Sequence, residues 1–67
     1  MRRGWHQTLG DKFRARARVC ERVASRQAKS GLRRLAYTEA AECWRRGYMR
    51  TAWDWEQAAR GMAARAT

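Results

Sequence analysis

Apolar residues recur along this chain at the spacing of one helix face. Phe13, Ala17, Cys20, Ala24 and Ala28 fall on one stripe at about 100° per residue, and Arg18, Arg22, Arg26 and Lys29 fall opposite it. This two-faced pattern predicts a helix over about residues 11–29. Thr8 followed three residues later by Asp11 forms a capping pattern at its start. Lys29-Ser30-Gly31 marks its end, with Gly31 able to take the left-handed conformation. Leu32, Ala36, Ala40, Cys43 and Trp44 form a second strip, predicting a helix over 32–46 that Gly47 breaks after the basic pair Arg45 and Arg46. Tyr48, Ala52, Trp55, Ala59 and Met62 recur at i, i+4, i+7, i+11 and i+14, which predicts a third helix over about 48–65, with Gly61 as the point where it frays or ends.

No stretch alternates polar and apolar residues long enough to make a strand, and the chain has no proline. The expected fold is all-α, a small three-helix arrangement with short turns and antiparallel neighbours. Residues 1–10 read as a flexible basic arm and 11–67 as a single helical domain. Within it, the run Tyr48-x-x-Thr51-Ala52-x-x-Trp55-x-x-Ala58-Ala59 has the spacing of the second helix of a tetratricopeptide-like hairpin. One such unit cannot bury its face alone. A core drawn from 67 residues is thin, so association, as a homodimer or with another partner, is expected to supply the rest.

Charge sharpens that expectation. The net charge is +10, and residues 1–35 hold eleven Lys and Arg against two acids, whereas 36–67 hold five against four. Such asymmetry predicts a polyanionic partner. The row Arg14, Arg18, Arg22, Arg26 and Lys29 is the candidate surface for nucleic acid or an acidic protein, with Arg16 beside it. An anionic membrane is the weaker alternative, because the apolar side of this helix is mostly alanine and cysteine. No apolar run approaches the roughly 20 residues of a membrane span. The start MRRGWHQTLG lacks the apolar core of a secretory signal. A cytoplasmic location and reduced thiols are expected.

The residue types that carry catalysis do not converge. Cys20 and Cys43 lie on apolar strips, where cysteine packs as a small hydrophobe, and His6 has no orienting partner. Glu39 and Glu42 sit among arginines and are expected to form ion pairs. There is no zinc spacing and no phosphate-binding glycine loop. A non-enzymatic protein without cofactor or metal is expected.

Four tryptophans remain: Trp5, Trp44, Trp53 and Trp55. Trp55 and Trp44 suit a core. Trp53 lies about 140° from the Tyr48 stripe, near Met49 and Arg60, which marks it for an interface. The candidate partner or dimer surface is Trp44, Tyr48, Met49, Trp53 and Arg60.

Tyr37, Ala41, Glu42, Gly47, Tyr48, Ala52, Trp55 and Ala58 form a pattern that resembles the ANR family, the small AraC negative regulators of bacteria, over about residues 37–63. The chain departs from that pattern where Gly47 directly precedes Tyr48, and it lacks the family's C-terminal Asn…Trp…Arg…Phe-Cys run. The resemblance implies a regulator that binds a transcription factor of the AraC type or a nucleoid protein of the H-NS type. The element Trp44-Arg45-Arg46-Gly47-Tyr48 is also similar to the aromatic-x-x-Gly-aromatic element of ribosome modulation factors. That likeness implies the alternative function, direct binding to DNA or ribosomal RNA.

Overall fold

Three helices follow one another: α1 over Leu9–Ser25, α2 over Leu32–Arg46 and α3 over Met49–Ala66. The computed structural model describes the backbone of residues 8–66 and the side chains of residues 8–62. The basic arm expected over 1–10, with Trp5 and His6, lies outside the described residues as far as residue 7. Its last two residues, Leu9 and Gly10, belong to α1.

Helix α1 starts on a reciprocal cap. The Thr8 hydroxyl accepts from the Asp11 amide at 3.1 Å, and the Asp11 carboxylate accepts from the Thr8 amide at 3.4 Å. The Thr8 hydrogen bonds hold the Asp11 carboxyl below its ordinary value. The helix ends four residues earlier than its stripe predicts. Ser25 Oγ donates back to the Arg22 carbonyl at 2.8 Å, and Arg26 N and Gln27 N donate in tightened turns to the carbonyls of Val23 and Ala24. Ala28 therefore leaves the apolar stripe and is exposed. Gly31 does not close α1 in the left-handed region; it sits extended at φ −80° as the N-cap of α2, and no side chain caps that end.

The bounds of α2 match the expectation. Gly47 at φ +82° ends it in the left-handed conformation, with Gly47 N donating to Trp44 O and Tyr48 N to Cys43 O at 3.1 and 2.9 Å. This pair of bonds is a Schellman closure and turns the chain at once into α3. Gly61 neither frays nor ends α3, which runs through it. The reason is local: good helix formers surround Gly61.

Helix α2 packs against both α1 and α3. The buried apolar set is Ala17, Cys20, Ala24, Ala36, Tyr37, Ala40, Ala41, Trp44, Ala52 and Ala59. Alanine dominates it, so the helices approach closely and the larger side chains Phe13, Val23, Trp55 and Met62 seal the margins. The Phe13 and Trp44 rings meet with centroids 5.4 Å apart and planes tilted by 49°. Two stripe ends fail. Leu32 is 69% exposed and Tyr48 58% exposed, each at the start of its helix.

Candidate interaction surfaces

The centre of the bundle holds a residue that the periodicity hid. Glu56 lies between Ala52 and Ala59 on the apolar side of α3 and is 2% exposed. Its carboxylate receives donors from every helix. Arg16 Nε and Nη2 on α1 donate at 2.9 and 2.6 Å, and Trp44 Nε1 on α2 donates at 2.6 Å. Cys20 Sγ donates at 3.5 Å and Arg60 Nη2, one turn along α3, at 3.4 Å. Burial alone would raise the Glu56 carboxyl; the Arg16 hydrogen bonds, the Trp44 indole and the Arg16 charge outweigh it and hold it below its ordinary value. The Glu56 hydrogen bonds in turn raise Arg16 above its usual range.

This network bears on two expectations. Arg16 does not extend the basic row; its head is turned into the bundle against Glu56. Trp44, expected both in the core and at the partner surface, is buried in the core at 8% exposure and also lines the groove described below. A signal for Glu56 existed in the sequence: an acid at i+4 from one stripe alanine and i−3 from the next must either break the stripe or be paired inside it.

Cys20 and Cys43 are both free thiols. Burial, then the Glu56 charge, pushes the Cys20 thiol up to about 12. Burial, then Glu39, raises Cys43 as well. Among the described residues no group of three or more His, Cys, Asp or Glu is placed to hold a metal ion. No described helix is long and apolar enough to cross a membrane.

The ion pairs divide the cations into two sets. Arg14 is tied to Asp11, Arg45 to Glu21 and Glu42, Arg46 to Glu42, and Arg50 to Asp54, while Arg16 and Arg60 hold Glu56. Glu39, expected to be paired, has no ion pair among the described residues. The described cations without a carboxylate partner are Lys12, Arg18, Arg22, Arg26 and Lys29, together with Arg33 and Arg34. All lie between residues 12 and 34. Arg33 is held in place by Gln27 Oε1 at 2.8 Å and by the Tyr37 ring at 5.5 Å. Of the predicted basic row, Arg18, Arg22, Arg26 and Lys29 stand exposed with no carboxylate partner among the described residues, and Arg14 is exposed but committed to Asp11.

A second surface opens where α2 turns into α3. Met49 is 56% exposed and Trp53 47%. With Trp44 and Arg50 they line an open groove of about 440 Å³. The Arg60 guanidinium stands 5.7 Å from the Trp53 ring centroid, so one face of the indole is covered by a cation. Tyr48 is exposed at the head of the same helix. The structure thus brings Met49, Trp53 and Arg60 together on one side of α3, with Arg50 added to them. The basic row stands on a different helix. No protein-family model, curated protein or solved structure matches the chain.

Proposed function

We propose that the chain is a non-enzymatic binding protein, a small bacterial regulator acting in the cytoplasm that docks onto a transcription factor of the AraC type or a nucleoid protein of the H-NS type. The observation that carries this reading is the half-exposed Trp53 beside Met49 in the groove at the α2–α3 corner. Exposed indole and thioether side chains in a concave site are the usual anchors of protein interfaces. The partial likeness to the ANR family over residues 37–63 supplies the partner class. Glu56 supports the absence of catalysis, since its carboxylate is already filled by donors and shielded from any substrate.

Arg50 lines the groove and Arg60 covers the Trp53 face, so the partner segment should carry carboxylates beside an apolar anchor. The homodimer expected from the thin core must bring two chains of charge +10 together, which repulsion opposes. The groove is therefore assigned to the regulator partner. The pairing of α2 with α3 through Ala52 and Ala59 fits a tetratricopeptide-like hairpin with its aromatic ends left for that partner.

The test is affinity capture from nuclease-treated bacterial lysate with the parent chain and Trp53→Ala. The parent should retain a transcription regulator or nucleoid protein, and Trp53→Ala should bind the same protein about 30-fold more weakly. Capture of no such protein, or equal binding by both chains, overturns the reading.

A further inference from the structure

The fold sorts positive charge by position, and that sorting carries an inference beyond the groove. Past residue 34, the arginines whose side chains are described, Arg45, Arg46, Arg50 and Arg60, each meet a carboxylate. Before it, Arg18, Arg22, Arg26, Lys29 and Arg34 have none among the described residues, and the nearby acids are taken: Asp11 by Arg14 and Glu21 by Arg45. We propose that the outer face of α1 and the α1–α2 turn form a binding surface for double-stranded nucleic acid, read through its phosphate backbone and distinct from the Trp53 groove.

Four observations support the choice of ligand. Arg18 and Arg22 are one turn apart on the side of α1 opposite Ala17, Cys20 and Ala24, so they form a line with steps of about 6 Å, and Arg26 continues it at the C-cap. Lys29 and Arg34 extend the line round the turn, where they line a shallow cavity of about 260 Å³ with Ser30 and Gly31. A row of unpaired like charges this close repels itself, and phosphates relieve that repulsion while releasing counterions. Arginine dominates the row, and its planar fork suits phosphate oxygens.

The same surface argues against a single strand and against an anionic bilayer. Single strands are held by base stacking on aromatic rings. Here Phe13 is packed on Trp44 and Tyr37 is buried under Arg33, while Tyr48 and Trp53 lie at the α2–α3 corner. An anionic bilayer needs an apolar face beside the cations. The apolar side of α1 is spent inside the bundle, and among the described residues the large apolar side chains exposed beside the row are Val19, Leu32 and Leu35, with Leu9 at the far end of α1.

The experiment titrates the full chain with mixed-sequence duplex DNA, duplex RNA of matching sequence, the DNA single strand alone and phosphatidylserine vesicles. Five phosphate contacts predict that duplex affinity falls roughly 500-fold between about 50 and about 200 mM salt. Arg22→Ala with Arg26→Ala should cut that fall to roughly 40-fold, two contacts fewer. Both residues are exposed, so circular dichroism should stay unchanged in the double variant. Trp53→Ala should bind duplex as the parent does, which separates this surface from the groove. Tighter binding by DNA than RNA, or the reverse, identifies the duplex type and supports the proposal. Salt-independent binding, stronger binding by the single strand, or binding to vesicles alone overturns it.

Discussion

Trp44 and Glu56, twelve residues apart, meet across the α2–α3 turn, where the indole Nε1–H donates to the buried carboxylate at 2.6 Å. Removing the carboxylate strands that indole donor and the head of Arg16 at once. Glu56→Ala should cost about 3–5 kcal/mol, the usual penalty for breaking a buried charged network from one side. That is comparable with the whole stability a core of this size supplies. The variant should lose its cooperative urea transition by circular dichroism, and Glu56→Gln, which keeps the shape and one acceptor, should fall between the two.

The same carboxylate gives the fold an acid limit. Its folded value is held below the ordinary 4.5, so it contributes stability that is fully present above that value and is lost as pH falls through the lower folded value. Thermal stability should be flat near neutrality and decline from about pH 5 downward. Asp11, depressed by its Thr8 hydrogen bonds, acts in the same direction at the exposed end of α1. Glu56→Gln should remove most of the decline. A decline of equal size in that variant would mean that other groups govern the acid transition.

Thiol chemistry should discriminate between the two cysteines. The Cys20 thiol, pushed up to about 12, is 2% exposed, while Cys43 lies at an intermediate depth. At about pH 8 a disulfide reagent should label Cys43 first and reach Cys20 only on unfolding. Raised thiol values also make stability fall as pH rises from the ordinary 9.0 toward about 12, because the unfolded chain ionises first. Cys20→Ala should flatten that alkaline fall.

Two glycines should respond in opposite ways to alanine. Gly47 holds φ +82°, and the nearest contact of an added Cβ would be the Phe13 ring at 3.9 Å, so the cost is conformational and should be about 1–2 kcal/mol. Gly61 is helical with open space around it, so Gly61→Ala should stabilise by about 1 kcal/mol. Denaturant midpoints of the two variants should move apart accordingly.

Much of this architecture can be read from the order of residues. The limits of α2, the Thr8–Asp11 cap and the exposure of Trp53 all follow from short-range spacing, which is where helical periodicity and capping act. The end of α1 does not, because Ser25 and Gln27 turn the chain through bonds that compete weakly with helix and leave no mark on the stripe. Nor does the pairing of Arg16 with Glu56, forty residues apart. One arginine in a row of arginines looks like its neighbours until the facing helix is known. Glu56 was legible only as an irregularity in the alanine stripe, and its donors were not.

An interior lined by alanine is smooth, and smooth surfaces can slide. Small side chains at Ala17, Ala24, Ala36, Ala40, Ala52 and Ala59 interlock weakly, so the alignment of such helices depends on the larger and polar groups between them. A single acceptor that must meet a guanidinium from one helix and an indole from another tolerates no such shift. In a chain with so little bulk inside, Glu56 is the buried polar key that ties all three rods together, and the outer arginines and the Trp53 groove take their places on that frame.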